Sequence, residues 1–260
     1  MAPLPPAVVD AAERSAAPAV VTVAINRLVD SRPGVDDRLE ASSGLLGAVA
    51  AVTAASRSLT QVLLTDTGAL DLLESLDNRP ACDPADADDL VGWKRREFLR
   101  IAARDLTGWD GLEEVGANLA LLADDVLAAA WRLTATAPDV AVIAMGKYGG
   151  RELNYASDVD VLFVGAGDVR PPLALAGRCF RIDADLRPEG RNGPLVRTLD
   201  AFESYWERWA KTWEFQALLK ARPAAGHAGT GAAFGSAAGQ ALWSRRFGAD
   251  EVREVRAMKA

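Results

Sequence analysis

Apolar side chains recur at three- and four-residue steps through the first 137 residues, which is the spacing of one face of a helix. Residues 8–29 are apolar and alanine-rich, with an interruption at Pro18. Residues 36–64 predict one long helix whose apolar face carries Leu45, Leu46, Val49, Val52, Leu59, Val62 and Leu63. Residues 67–76 predict a short helix that stops near Asn78-Arg79-Pro80. Residues 86–106 and 111–134 predict two more. The second is the clearest, with Leu112, Val115, Leu119, Leu122, Val126 and Leu133 sharing a face.

The pattern changes at 134–139. From there to about residue 200, short β-branched runs alternate with glycine turns. Residues 140–145 and 159–164 predict the first two strands. Residues 178–186 (RCFRIDADL) predict a third, with Phe180, Ile182 and Ala184 on one face and Arg181, Asp183 and Asp185 on the other. After Thr198 the chain reads as helical and aromatic. Phe202, Tyr205, Trp206, Trp209, Trp213 and Phe215 fall at a spacing that predicts packing against the sheet. Residues 232–245 predict one more helix and 251–259 the start of another. The expected fold class is α+β: a helical region over 1–137, a small mixed sheet with flanking helices over 138–225, and the start of a helical domain over 226–260.

Composition narrows the function classes. Half of the 260 residues are hydrophobic and a quarter charged, as in ordinary globular proteins. The net charge of −7 argues against a chain that wraps nucleic acid. The two cysteines, Cys82 and Cys179, suggest neither a disulfide framework nor a zinc spacing. No signal peptide or membrane-length apolar run is visible, so the expected location is the cytoplasm. The basic cluster Lys94, Arg95, Arg96, Arg100, Arg104 reads as a solvated helix face pairing with nearby acids.

The candidate chemistry lies in residues 140–164, VAVIAMGKYGGRELNYASDVDVLFV. In a strand opening Ser157-Asp158-Val159-Asp160, the two aspartates share a face while Val159 turns into the core. Adjacent carboxylates repel, and Mg2+ relieves that repulsion while also binding phosphate. Glycines at 149 and 150 let backbone N–H groups approach a phosphate, and Lys147 adds a point charge. The expected metal and catalytic residues are Asp158 and Asp160, together with a third carboxylate to complete a two-metal site, for which the third strand offers Asp183 and Asp185. The expected phosphate-binding set is Lys147, Gly149, Gly150, Ser157 and Arg187. A solvated Asp-x-Asp strand and plain glycine turns remain the ordinary readings of the same residues. Likewise, Arg187 is either a phosphate ligand or a structural partner of Asp183. Lys220 is a weaker phosphate candidate, and His227 is given no catalytic role.

Three blocks go further: GKYGGRELNYASDVD, RIDADLRPEGRNGPLVRT and WAKTWEFQALLKAR. Together they resemble the bifunctional glutamine synthetase adenylyltransferase/adenylyl-removing enzymes, and ELNYASD resembles the N-terminal, adenylyl-removing half. The resemblance implies a polymerase-β-like nucleotidyltransferase core behind a helical lead-in. It implies Mg2+-dependent phosphorolysis of adenylyl-tyrosine on glutamine synthetase, with ATP or ADP and phosphate as small ligands. It also implies that a PII-type signal protein acts through regions absent from this chain; the net charge and the lack of a membrane-length apolar run speak against nucleic acid and membrane as partners. The family's third aspartate, in Arg-[Ile/Val]-Asp ahead of Leu-Arg-Pro, corresponds to Asp183, with Asp185 second. One departure stands out. Only 22 residues separate Asp160 from Asp183, with a bend expected at Pro171-Pro172, where the family carries a longer crossover containing a helix. Two other functions fit the core: another protein or small-molecule nucleotidyltransferase, and a catalytically inert module that docks on glutamine synthetase.

Overall fold

A computed structural model of the chain describes residues 3–244 and 248–257. These form two compact units. One holds the described residues up to Ala81 together with Gly92–Val115, and the other holds Cys82–Val91 together with the described residues from Gly116 onward.

The first unit is helical: α1 (Pro6–Arg14), α2 (Pro18–Ser31), α3 (Val35–Ala41), α4 (Ser43–Ala55), α5 (Arg57–Thr65), α6 (Ala69–Glu74) and most of α7 (Ala87–Leu106). Pro18 opens α2 at a position where a missing N–H costs nothing. The long helix expected over 36–64 is three helices. The Ser42 and Ser56 hydroxyls accept hydrogen bonds from the backbone N–H of Leu45 and Leu59 at 3.2 and 3.3 Å. Each serine therefore caps a new helix where an uninterrupted one was expected. Ile25, Leu28, Leu39, Val49, Leu63 and Leu99 are fully buried in the core between them.

The basic cluster on α7 is paired, as expected, but its inner half is not solvated. Arg100 is 4% exposed and Glu97 is fully buried. The Glu97 carboxylate accepts from Arg79 Nε at 3.0 Å and from Arg100 Nε and Nη2, both at 2.8 Å. Arg100 and Arg104 also donate to the Leu76 carbonyl, and Arg104 pairs with Asp110. Only the outer part behaves as a surface, with Arg96 on Asp66 at 2.6 Å and the Lys94 ammonium over the Phe98 ring.

The second unit is built on a five-stranded mixed sheet. After α8 (Leu112–Thr134) come β1 (Ala141–Ala144), the single-turn α9 (Gly146–Gly149), β2 (Val159–Val164), α10 (Arg170–Ala176), β3 (Ile182–Asp183), β4 (Val196–Arg197), α11 (Leu199–Arg208), α12 (Thr212–Leu218), β5 (Arg222–Gly226), α13 (Ala228–Ser244) and α14 (Ala249–Ala257). The strand order is β3-β2-β1-β5, and β4 also pairs with β2. β1 runs antiparallel to β2 and β5, whereas β3 and β4 run parallel to β2. Every residue of β1 is buried because both faces are covered. On one face Trp131 of α8 stacks on Phe163 with ring centroids 5.8 Å apart. On the other, Ile143 and Leu162 pack with Phe202, Trp206, Phe215 and Phe234.

Several expectations are corrected here. The third strand shrinks from 178–186 to two residues, because the chain leaving α10 is still turning: Cys179 and Phe180 both donate to the Ala176 carbonyl. The bend expected at Pro171-Pro172 is instead the first turn of α10, so a short crossover helix survives between β2 and β3. β4 and β5 were not foreseen. β5 reads Arg-Pro-Ala-Ala-Gly without apolar alternation, and it sits at the sheet edge, where a proline is tolerated. Of the aromatic stripe, Trp209 and Trp213 stay exposed. His227 caps α13, its Nδ1 accepting from the Thr230 N–H at 3.1 Å. Arg245, Met258 and Lys259, at the ends of the last two expected helices, lie outside the described residues. Among the described residues no helix is long and apolar enough to cross a membrane.

Candidate active site

The site is set by the register of β2 and β3. Asp160 lies directly opposite Asp183 across the parallel pair, and Val159 lies opposite Ile182. Asp158 immediately precedes β2, two positions before Asp160, and Val159 between them is fully buried. The three expected aspartates therefore converge at one strand end. Their charges interact: burial pushes the Asp160 carboxyl above its usual range, Asp183 and Asp158 raise it further, and the Lys147 ammonium partly offsets them. Lys147 is exposed on α9, close enough to Asp160 to be felt.

The structure does not leave all three carboxylates open. Asp158 is held by the Arg181 guanidinium through both oxygens, Nε to Oδ1 and Nη2 to Oδ2. Asp183 Oδ1 accepts the Asp185 backbone N–H at 2.7 Å. No group of three His, Cys, Asp or Glu side chains is drawn up around a metal position among the described residues. The three polar residues expected on one face of the third strand take separate partners, since Arg181 holds Asp158 while Asp185 pairs with Arg191 at 2.5 Å and Arg187 at 3.4 Å.

The phosphate-binding candidates are placed as follows. The amides of Gly149 and Gly150 are already used, donating to the carbonyls of Met145 and Gly146 at 2.6 and 3.1 Å. The glycines serve close packing instead. A Cβ on Gly149 would sit 2.1 Å from the Lys220 carbonyl oxygen and 2.8 Å from that of Ala144. Gly146, at φ +53°, presses on Asp160, where a Cβ would lie 2.3 Å from Oδ2. Ser157 closes its own loop, its hydroxyl accepting from the Asn154 N–H at 3.3 Å. Arg187 donates to the carbonyls of Ala184 and Gly193, at 2.7 and 3.2 Å; its carboxylate partner is Asp185 and not Asp183. Lys220 pairs with Glu152. Of the five expected, Lys147 alone both lies near the aspartates and has no hydrogen bond or ion pair recorded for its ammonium among the described residues.

Gly149→Ala is accordingly expected to cost about 1–3 kcal/mol by overpacking the α9 turn against a backbone carbonyl. Gly150→Ala meets only the movable side chains of Lys220 and Glu152, at 3.0 and 3.3 Å, and is expected to be mild. Thermal melts of the two variants check this: similar melting temperatures would contradict the packing role of Gly149.

Behind the aspartates is a network that the sequence reading missed. The Asp124 carboxylate accepts from the Tyr148 hydroxyl at 2.5 Å and from both terminal nitrogens of Arg222 at 2.9 and 3.0 Å. Tyr148 is fully buried, and burial first, then Asp124, pushes its phenol well above the usual range. These bonds tie α8, the α9 turn and β5 together behind the site. The available signal was Asp124-Asp125 interrupting an otherwise apolar helical run.

Residues 52–171 and 173–237 match the family described as Glutamate-ammonia ligase adenylyltransferase. The match breaks at Pro172, inside the shortened crossover. Relatives named bifunctional glutamine synthetase adenylyltransferase/adenylyl-removing enzyme align with the chain. That of Streptomyces coelicolor is 38% identical over 302 aligned residues, covering 98% of this chain and 30% of the relative. That of Cutibacterium acnes is 43% identical over 64% of this chain and 20% of the relative. That of Mycobacterium marinum is 49% identical over 56% of this chain and 16% of the relative. The chain therefore spans less than a third of the length of these relatives.

Proposed function

The chain belongs to the glutamate-ammonia ligase adenylyltransferase family, and on that premise we propose that its second unit is a nucleotidyltransferase module acting on glutamine synthetase. The reaction proposed is removal of AMP from adenylyl-tyrosine by phosphorolysis. A phosphate oxygen attacks the adenylyl phosphorus, the bond from phosphorus to the tyrosine oxygen breaks, the phenolate takes up a proton, and ADP leaves. The direction rests on ELNYASD, which resembles the adenylyl-removing half.

The observation that carries the reading is the convergence of Asp158, Asp160 and Asp183 on one strand end, with a half-buried carboxyl whose ionisation is opposed by its own acidic neighbours. Such a donor set fits Mg2+, held by Asp160 and Asp183 and, once free of Arg181, by Asp158. The ion would supply charge neutralisation and polarisation of the phosphoryl oxygens. The chain's own part is positioning. Strand pairing fixes the spacing of the aspartates, buried Val159 locks the β2 register, and Lys147 presents a cation beside Asp160. In-line displacement at phosphorus needs chiefly this orientation and charge compensation.

The test is to incubate the purified chain with adenylylated glutamine synthetase, Mg2+ and phosphate and to follow ADP. Phosphate-dependent ADP release that stops on chelating Mg2+ is expected. The engagement of Asp158 by Arg181 favours one rival, an inert module that only docks on glutamine synthetase. Binding of the adenylylated substrate without any ADP would establish that rival instead.

A further inference from the structure

The Asp158–Arg181 pair is unlike the other ion pairs around the site. Arg187 and Arg191 are bound to Asp185, and Lys220 to Glu152, none of which is a proposed metal ligand. Among the described residues Arg181 is the one cation ion-paired to a proposed ligand, and it holds Asp158 with a two-pronged grip that covers both oxygens. The grip is open to water: the Arg181 side chain is 79% exposed and that of Asp158 25%. An exposed pair of this kind is weakly held. The backbone beneath it is firm, since the Arg181 carbonyl accepts the Val159 N–H at 2.9 Å, in register with the Asp160–Asp183 pair. A guanidinium released from Asp158 therefore stays beside the carboxylates, and its planar fork matches two phosphoryl oxygens as well as it matches a carboxylate.

We propose that Arg181 is an exchangeable counter-ion: it occupies Asp158 in the free chain, yields it to a divalent cation, and turns its fork to a phosphoryl group of the bound nucleotide. The exchange keeps the site near charge balance in both states. It also makes occupation by metal and grip on phosphate interdependent. This inference rests on the metal-and-phosphate reading of the site given above.

The test separates the two halves of the exchange. Mn2+ binding to the unliganded chain is measured by electron paramagnetic resonance, and ADP binding at saturating Mg2+ by calorimetry, for the natural chain, Arg181→Gln and Arg181→Lys. Asp158→Asn serves as the ligand control. Arg181→Gln is expected to bind Mn2+ about three- to five-fold tighter, because a competing cation is gone, and ADP about ten-fold more weakly. Arg181→Lys, which keeps the charge but loses the fork, is expected to fall between on both measures. A merely structural arginine would not tighten metal binding when removed. Unchanged or weaker Mn2+ binding in Arg181→Gln, or unchanged ADP binding, overturns the exchange while leaving the site reading standing. No Mn2+ binding by the natural chain removes the site reading, and the exchange with it.

Discussion

Asp160→Asn is expected to lower phosphate-dependent ADP release by about 10²–10³-fold while making the folded chain more stable near neutral pH. The activity loss follows from placement, since Asp160 faces Asp183 across the sheet and lies beside Lys147. The stability gain follows from the direction of its titration. Burial, then Asp183 and Asp158, raise the Asp160 pKa in the folded state, so its ionised form is disfavoured there relative to the unfolded chain. Below the ordinary carboxylate range both states are protonated and no penalty exists. As pH rises through the interval up to the raised value, the folded chain loses stability, and it does not regain it above. Asparagine has the same shape, fits under Gly146, and escapes that loss. Melting temperatures should therefore match below about pH 4 and diverge in favour of the variant near pH 7. A variant that melts lower at neutral pH and still releases ADP normally would refute both the electrostatic account and the catalytic one. This trade of stability for activity is common where like charges are held together for function.

Glu97→Ala is expected to destabilise the helical unit by about 3–5 kcal/mol, the cost of leaving buried arginine charge without its partner. Glu97 is fully buried with three donor nitrogens upon it, and Arg100, at 4% exposed, has little water to turn to. Urea denaturation followed by circular dichroism would register the loss as a lower midpoint. The exposed Arg14–Asp10 pair is the comparison: Asp10→Ala should move the midpoint hardly at all, because both side chains are more than half exposed. Equal effects of the two substitutions would mean that burial does not set the value of these pairs.

How legible was all this beforehand? The helices and the two central strands were readable because their signals are local. Apolar positions three or four apart mark α7 and α8, and short apolar, β-branched runs such as VAVIAM and the VLFV that follows Asp160 mark strands covered on both faces. Residues 159–164 were expected as a strand and β2 spans Val159–Val164. Breaks in helices were harder. Ser42 and Ser56 could be exposed helical serines or caps, and their backbone conformation decides between the two. The edge strands were harder still, because β3, β4 and β5 are strands by virtue of their neighbours: two-residue segments and Arg-Pro-Ala-Ala-Gly carry no period of their own.

The same division runs through the site. The chain order alone places Asp158 and Asp160 on one side of a strand, since alternation is a property of the extended backbone. It also carries the motifs that tie the chain to its family. The partner of each charged group is a different kind of fact. Arg181 lies next but one to Asp183 in sequence, yet it grips Asp158, which is 23 positions away. Gly149 looked like a seat for phosphate, yet its missing side chain makes room for the carbonyl of Lys220. Asp124 interrupts a helix for no local reason and proves to anchor Tyr148 and Arg222 behind the site. Local pattern specifies which way a side chain leaves its own backbone. What it meets there depends on crossovers and strand register, which bring distant segments together only once the whole sheet is assembled.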